Sequence, residues 1–458
     1  MNRYLSAFIL AMLSGLGIHA QQMLKAPRLV VNITIDQLRT DYIERFAALY
    51  GTGGFKKLFS EGKVYKQASY SFSPLDRSSA VAALSTGTSP LYNGIVANNW
   101  LNRKSLKIES SVDDVKYHTS PSFIATTTLA DELKIASAGS ALVYSVAKER
   151  DAAVLSVGHA ADGALWLDEK TKKWRTSDYY PLSIQKWIKA FNSLLGGKQE
   201  TKDNDNVAHL ALECLDGNAI GRDEITDYLA ITLSASNEVA QQEKNGFEGV
   251  YIGLDRVLTR LIQHIENKIG RDKVLFVLTG TGYDTENAID YSKYRIPTGT
   301  FYINRTASLL NMFLSAVYGQ GKYVDAYYNN HIYLNRKFIE DKRLSLDEVY
   351  NKSKDFLKQN AGVVDVHKSA YPTSVSGDII LDITPGWRLL NEDTHHSVVS
   401  RLSFVPFPII FYGLNLKPEQ VKERVLVEHI APTIANAIHI RAPVSYTHLR
   451  AHETVLDL

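Results

Sequence analysis

The sequence predicts an α/β protein built on a largely parallel central sheet with helices on both faces. Several short runs of apolar and β-branched residues are typical of buried parallel strands. Segments with helical spacing of apolar residues lie between those runs, and this alternation is typical of doubly wound sheets. The chain has 458 residues, of which 45% are hydrophobic, so it can bury a large core.

The first predicted strand, at 29–35, organises the rest of the sheet. It ends at Asp36, and a helical pattern begins at Gln37. Open α/β sheets bind their ligands at the carboxyl ends of such strands, so Asp36 is a candidate site residue. An aspartate at this place is explained equally well as the N-cap of the helix that follows.

The remaining elements alternate along the chain. The clearest helix, at 249–269, carries an apolar stripe that includes Leu254, Leu258 and Leu261. The polar stretch at about 196–225 has no regular pattern and favours a surface insertion. Further strands are predicted at 63–72, 141–146, 152–157, 227–234, 273–279, 327–334, 363–366, 379–383 and 408–412, and further helices at 53–62, 78–85, 128–136, 182–195, 308–317, 346–357 and 429–438.

Both ends of the chain differ from the segment between them. Residues 1–20 combine Arg3, an apolar run and a small-residue cleavage site, so we expect a secretory signal peptide and a periplasmic or otherwise exported protein. The alternative, a membrane anchor, fits less well because the run is short. Residues 444–458 break the pattern and resemble translated adapter DNA, so we expect a non-native tail after a domain at 21–443. The alternative is an ordinary C-terminal helix.

Composition excludes some classes of partner. The net charge is +2 and no basic block stands out, so nucleic acid is not an implied partner. Apart from the N-terminal run, no stretch is long and apolar enough to be a transmembrane segment. Cys214 is the only cysteine, so an exported chain would hold together without internal disulfides.

Five segments carry a resemblance to a known family: DQLRTDYIERF at 36–46, GGFKKLFSEG at 53–62, STGTSPLYNGIVANNW at 85–100, GHAADGALWLD at 158–168 and PIIFYG at 408–413. Together they resemble the alkaline phosphatase superfamily, and within it the periplasmic phosphate-irrepressible alkaline phosphatases of Bacteroidetes. The resemblance implies an alkaline-phosphatase-like fold and phosphoric ester hydrolysis. In active members, two zinc ions bind the phosphate and activate a threonine or serine alkoxide.

The metal ligands that this resemblance implies are mostly missing. Only Asp36 keeps a ligating side chain, and one carboxylate does not hold a zinc ion. Asp284 is near the third ligand pair, but no histidine accompanies it. We therefore expect no cofactor, and zinc belongs to the alternative of a rebuilt site. The other ligand positions carry Ser236, Ala240, Thr281, Gly282 and Pro406.

The nucleophile position of the family falls on Arg77, at matching distances from Pro74 and from Thr86. A guanidinium cannot attack phosphorus, and its fixed positive charge opposes a metal ion. Ser78 is adjacent, but its use requires a shift around the start of the helix. One hypothesis is that Arg77 replaces the zinc by bidentate pairing with Asp36. The alternative is an arginine that extends to solvent.

Of the positions that bind phosphate in the family, some are matched in this sequence and others are not. Asn98 matches the family's asparagine. Lys148 and Arg150 match its Lys-x-Arg only after a slip of one residue. Without the slip, these positions carry Glu149 and Asp151, which would repel phosphate. We expect the strand ends at the metal and nucleophile positions to converge in space: Asp36, Arg77, Ser236, Thr281 and Pro406.

Other histidines and aspartates could rebuild a metal site. Asp393, His395 and His396 are the better candidates, although adjacent histidines on a polar segment are usually only solvated. We interpret the spacing of Asp114 and His118 as coincidence. His159 follows a predicted strand, and we expect a structural role for it.

The leading hypothesis is an exported, catalytically inactive homologue that acts as a binding or scaffold protein. Its ligand, a protein or a small molecule, would occupy the former active-site cleft. The alternative is an active metal-dependent phosphomonoesterase or phosphodiesterase with relocated ligands. A third hypothesis is a structural component of the cell envelope.

Overall fold

The computed structural model describes residues 25–196, 202–285, 291–401 and 405–443. The predicted signal peptide at 1–20 and the predicted tail at 444–458 lie outside the described residues. A nine-stranded sheet forms the centre of the molecule. Its strands, β1 to β9 in chain order, are Leu29–Asp36, Lys63–Ser69, Val143–Ala147, Gly163–Asp168, Lys173–Arg175, Asp227–Ser234, Val274–Gly280, Phe407–Gly413 and Glu419–Leu426.

The strands lie in the spatial order β9-β2-β8-β7-β1-β6-β3-β4-β5. β1 is parallel to both of its neighbours, β6 and β7, and the parallel pairing continues from β6 through β3 to β4. β8 is antiparallel to β7, so its first residues lie at the edge where β1, β6 and β7 end. This mixed, mostly parallel sheet with helices around it confirms the predicted fold class.

β1 lies in the middle of the sheet, and all of its side chains are buried. Its apolar residues fill both faces, as parallel strands covered by helices require. Asn32 and Thr34 are polar residues within the strand, and the Asn32 amide donates a hydrogen bond of 2.8 Å to the hydroxyl of Tyr228 on β6. A buried amide is tolerated when it has such a partner.

Helices cover both faces of the sheet. The longest, Phe247–Ile269, buries the predicted stripe of Leu254, Leu258 and Leu261. Its Asp255 accepts hydrogen bonds of 2.8 Å from the backbone N–H groups of Gly51 and Phe55, which ties it to the segment after β1. The other α-helices are Thr40–Arg45, Phe55–Glu61, Arg77–Thr86, Pro90–Asn93, Leu129–Ala136, Arg150–Leu155, Leu182–Leu195, Asp203–Gly217, Asn237–Gln242, Ile303–Tyr318, Arg336–Asp341, Leu346–Leu357 and Ile430–Ala437.

Two sequence predictions on the β3 side of the sheet are wrong. The run at 152–157 is not a strand, since most of it lies in the helix Arg150–Leu155. A short buried apolar run has no period that separates strand from helix. The stretch at about 196–225 was predicted to lack a regular pattern, but Asp203–Gly217 is a helix that buries one face, including Cys214. Polar residues on its outer face hid that pattern.

A smaller unit, formed by residues from 300 to 399, has its own buried apolar cluster. The predicted strand at 327–334 is in fact a hairpin that turns at Asn329, whose φ of 49° suits asparagine. One sheet of the unit contains, in spatial order, Val324–Tyr328, His331–Leu334, Ile379–Ile383 and Val363–Lys368, and the other contains Thr300–Tyr302, Arg388–Asn391 and His396–Val399.

Among the described residues, no helix combines the length and the apolar composition that crossing a bilayer requires.

Candidate functional site

The expected convergence of strand ends is confirmed at one edge of the main sheet. Asp36 closes β1, and its carbonyl accepts a 2.8 Å hydrogen bond from the N–H of Ala235, the residue before Ser236. Thr281 follows β7 and hydrogen-bonds to Asp36. Pro406 directly precedes β8, and its carbonyl accepts a 2.8 Å bond from Thr40, at the start of the helix after β1.

The Asp36 carboxylate is buried and fully engaged. Its side chain is 3% exposed. Oδ1 accepts a 2.8 Å hydrogen bond from the Thr281 hydroxyl, and Oδ2 accepts one of 3.3 Å from the Tyr283 hydroxyl. Arg77 Nη1 lies 3.7 Å from Oδ2. Burial raises the pKa of Asp36, although Arg77 and the two hydroxyl groups oppose that rise.

Arg77 is the first residue of the helix Arg77–Thr86. The N-cap Asp76 accepts a 3.0 Å hydrogen bond from the N–H of Ser79 and so fixes where this helix begins. The Arg77 side chain is only 20% exposed, so it does not extend to solvent. Its Nε and Nη2 atoms each donate a 3.0 Å hydrogen bond to Asp151, one to each carboxylate oxygen.

The bidentate partner of Arg77 is therefore Asp151, and the expectation that it would be Asp36 is wrong. Asp151 lies in the first turn of the helix Arg150–Leu155, after β3, where it meets the Nε edge of the guanidinium. Asp36 already accepts hydrogen bonds from two hydroxyl groups and meets Arg77 only through the longer 3.7 Å contact.

Ser78, the neighbour of the nucleophile position, is completely buried. Its hydroxyl donates a 2.9 Å hydrogen bond to Asp151 and lies 2.9 Å from the hydroxyl of Ser111. Its N–H donates a 2.7 Å hydrogen bond to the side-chain oxygen of Asn98. Ser78 thus holds the Asp151 carboxylate in place beside Arg77, and Asn98 fixes the backbone of Ser78.

Charge around Arg77 is dominated by carboxylates. Burial acts to lower the pKa of Arg77, but the nearby carboxylates of Asp151, Asp36 and Glu149 outweigh it, so the pKa lies above its ordinary value. Burial likewise acts to raise the pKa of Asp151, yet Arg77 outweighs it and the pKa is lowered. Burial, together with Asp36 and Asp151, raises the pKa of Glu149 to about 7.

Lys148 and Arg150 are not brought together with Arg77. Lys148 Nζ lies 2.9 Å from Asp203, and Arg150 forms a 2.7 Å ion pair with Asp113. Asp151 instead contacts Arg77 directly. The geometry therefore favours the register without a slip, in which acidic residues occupy the positions of the family's Lys-x-Arg.

The residues at the implied metal-ligand positions do not fit a pair of zinc ions. Ala240 and Pro406 have no ligating side chain. A Cβ atom at Gly282 would lie 2.9 Å from Phe407, so no larger side chain fits there without movement. Asp284 forms ion pairs with Arg39 and Arg401. Within the described parts of the chain, no group of three or more His, Cys, Asp or Glu residues could hold a metal.

The other candidate ligands have structural explanations. Asp114 accepts hydrogen bonds from the N–H groups of Lys116 and Tyr117 and so closes a turn. Asp393 accepts one from the hydroxyl of Tyr327. His395 and His396 are exposed. His159 Nδ1 lies 3.1 Å from Asp131, which also accepts the N–H groups of residues 159 and 160.

Sequence reasoning missed two residues that shape the site. One is Tyr283, two residues after Thr281, whose hydroxyl contacts Asp36. Gln37 has a φ of 61°, and its N–H donates to the Thr281 hydroxyl while its side-chain oxygen accepts from Thr285. Strain of this kind at a strand end often marks a functional site, but sequence alone does not show it.

The site lies at the carboxyl edge of a largely parallel α/β sheet, where such sheets bind their ligands. Together with the likenesses that follow, this places the chain in the alkaline phosphatase superfamily. Residues 30–403 match the family model of type I phosphodiesterase / nucleotide pyrophosphatase. The chain belongs to this family.

Individual relatives resemble the chain over nearly its full length. It is 24% identical to the alkaline phosphatase PafA of Elizabethkingia meningoseptica, with 95% of this chain and 96% of PafA covered. It is 25% identical to a calcium-transporting ATPase of Myroides odoratus, covering 93% and 94%. The crystal structure of wild-type PafA superimposes with a TM-score of 0.79 at 23% identity, covering 92% of this chain and 97% of PafA. The names of these relatives differ, and at this level of identity the likenesses establish the fold and not the activity, while the family rests on the match over residues 30–403.

Proposed function

We propose that this protein is an exported, catalytically inactive member of the family that acts as a binding or scaffold protein. The observation that carries this proposal is the bidentate ion pair between Arg77 and Asp151, at 3.0 Å for both hydrogen bonds. It lies at the start of the helix where the resemblance places the nucleophile. A guanidinium held in this way offers no oxygen or sulfur that could attack a phosphoryl group.

The charges of the site support the same proposal. A phosphate ester entering beside Arg77 would meet the carboxylates of Asp151 and Glu149, and both are close enough to Arg77 to raise its pKa. Repulsion between these carboxylates and a negatively charged phosphate ester disfavours binding of the ester. Asp36, the retained carboxylate, is occupied by the hydroxyl groups of Thr281 and Tyr283.

The sequence and the fold support the remaining parts of the proposal. Export rests on the predicted signal peptide at 1–20. A ligand in the former cleft is supported by its place at the carboxyl edge of an α/β sheet, where such folds bind their ligands. The ligand is a protein or a small molecule, and the charge of the cleft argues against a phosphate ester.

Hydrolysis assays on the full-length chain test the loss of activity. The substrates are p-nitrophenyl phosphate and bis(p-nitrophenyl) phosphate, each with and without added zinc, and PafA assayed in parallel is the positive control. We expect no turnover above buffer with either substrate. Zinc-dependent turnover with either substrate, abolished by chelation, would overturn the proposal and establish the active enzyme with relocated ligands.

A further inference from the structure

The residues at the metal positions do not fit zinc, yet the centre is held together as a metal site would be. In a metal site, one cation binds carboxylates from separate elements of the chain. Here Arg77 lies 3.7 Å from Asp36, at the end of β1, and 3.0 Å from Asp151, in the helix after β3. One guanidinium thus connects two elements on different parts of the sheet edge.

Burial makes this cation necessary. The side chains of Asp36 and Asp151 are 3% and 11% exposed. A buried carboxylate is costly unless it is paired and hydrogen-bonded. The planar fork of arginine binds both oxygens of Asp151 and leaves Nη1 facing Asp36, a geometry that the point charge of lysine cannot reproduce.

We infer that Arg77 is a resident organic cation that takes the place of a metal ion in this centre. It completes the charge of Asp36 and Asp151 without zinc. When the side chain is removed, a free guanidinium ion of the same shape should be able to take its place, whereas a divalent cation should not, because the described residues offer no group of three metal ligands there. The inference is independent of the proposed loss of activity, since zinc ligands elsewhere would leave this pairing intact.

Thermal unfolding of the full-length chain tests the inference. The proteins are the wild type, Arg77→Ala, Arg77→Lys, and Arg150→Ala as the control, since Arg150 forms a more exposed ion pair with Asp113. Each is measured with EDTA, with manganese chloride, and with methylguanidinium chloride at a non-denaturing concentration.

For the wild type we expect a Tm that does not change among the three solutions, and we expect the same of Arg150→Ala. Arg77→Ala should lose several degrees in EDTA and recover much of that loss with methylguanidinium but not with manganese, because the described residues offer no group of three metal ligands. Arg77→Lys should show an intermediate loss and a smaller recovery, because its ammonium keeps the charge but not the fork.

Three outcomes would overturn the inference. The first is a wild type whose Tm falls in EDTA and returns with a metal, because its centre would then need the ion. The second is an Arg77→Ala variant with an unchanged Tm. The third is a loss in Arg77→Ala that methylguanidinium does not restore, which would make Arg77 an ordinary ion-pair partner. If Arg77→Ala does not fold, Arg77→Lys and the wild type in EDTA decide the question by the same criteria.

Discussion

Two buried clusters in this protein pair arginine with aspartate, but in opposite proportions. At the edge of the main sheet, the single guanidinium of Arg77 forms ion pairs with both Asp36 and Asp151. At Asp378 of the smaller unit, two guanidinium groups pair with one carboxylate: Arg103, from the main part of the chain, lies 3.0 Å from Asp378, and Arg336 lies 2.7 Å from it.

The surroundings of the two clusters explain the difference. Asp378 is 5% exposed and also accepts a 2.7 Å hydrogen bond from the N–H of Leu334. Arg103 continues to the carbonyls of Leu334 and Ser376, so this cluster joins the main part of the chain to the smaller unit. Its task is structural. The Arg77 cluster lies where α/β sheets bind ligands and has fewer cations than carboxylates, and its groups have the shifted pKa values that are common at functional sites.

The largest expected effect is at the cluster with one shared guanidinium. Arg77→Ala should lower the free energy of unfolding by about 3–5 kcal/mol, because it leaves Asp36 and Asp151 buried without their cation. Denaturant unfolding measures the loss. In a double-mutant cycle, adding Asp151→Asn should recover more of it than adding Asp36→Asn, since Asp151 accepts both short hydrogen bonds. Additive effects in both cycles would contradict the assigned pairing.

A smaller loss is expected at the cluster with two guanidinium groups. Arg103→Ala should cost about 2–3 kcal/mol, because charge-assisted hydrogen bonds are lost but Arg336 still neutralises Asp378. Arg336→Ala is the matched variant, and the double substitution should cost more than the sum of the two. A loss of stability for Arg103→Ala as large as that for Arg77→Ala would contradict the expectation that a single shared guanidinium matters more than one of two.

The burial of Glu149, reinforced by the carboxylates of Asp36 and Asp151, predicts a pH dependence of the free energy of unfolding. The pKa of Glu149 is about 7 in the folded protein against 4.5 in the unfolded chain, so the folded state binds more protons between these values. The free energy of unfolding should therefore fall as the pH rises from about 4.5 to about 7. Glu149→Gln should flatten this fall and be more stable than the wild type by about 1–2 kcal/mol above pH 7. Parallel stability curves for the two proteins would contradict the prediction.

The smallest effect is expected at the C-terminus. The predicted tail at 444–458 is out of pattern with the rest of the sequence, and the last family-like helix is complete before it. Truncation after Pro443 should leave the Tm unchanged in a thermal melt. A large drop would show that the tail packs against the protein and belongs to it.

Local pattern predicted the elements that bury a regular stripe or a continuous run. The strand Asp227–Ser234 and the helices Leu182–Leu195 and Leu346–Leu357 have their predicted bounds. The strand Glu419–Leu426 was missed, because most of its side chains are exposed at the edge of the sheet and carry no apolar alternation. The run at 152–157 was assigned to the wrong type for the opposite reason, since it is buried all round.

At the site, sequence comparison predicted which positions converge but not how their side chains pair. Asp36, Arg77 and Thr281 were placed together correctly because strand ends share an edge. That Arg77 binds Asp151 as a bidentate partner depends on the orientation of the helix after β3, which is a property of tertiary packing. The Lys-x-Arg register was ambiguous in the sequence by one residue, and only the positions of Lys148 and Arg150 favour one choice.

The zinc content of the purified full-length chain, after equilibration with zinc and dialysis, tests the central claim most directly. We predict far less than one zinc ion per chain, because Asp36 is engaged by Thr281, Tyr283 and Arg77 and the other implied ligand positions lack suitable donors. Near-stoichiometric zinc that survives dialysis would contradict the account.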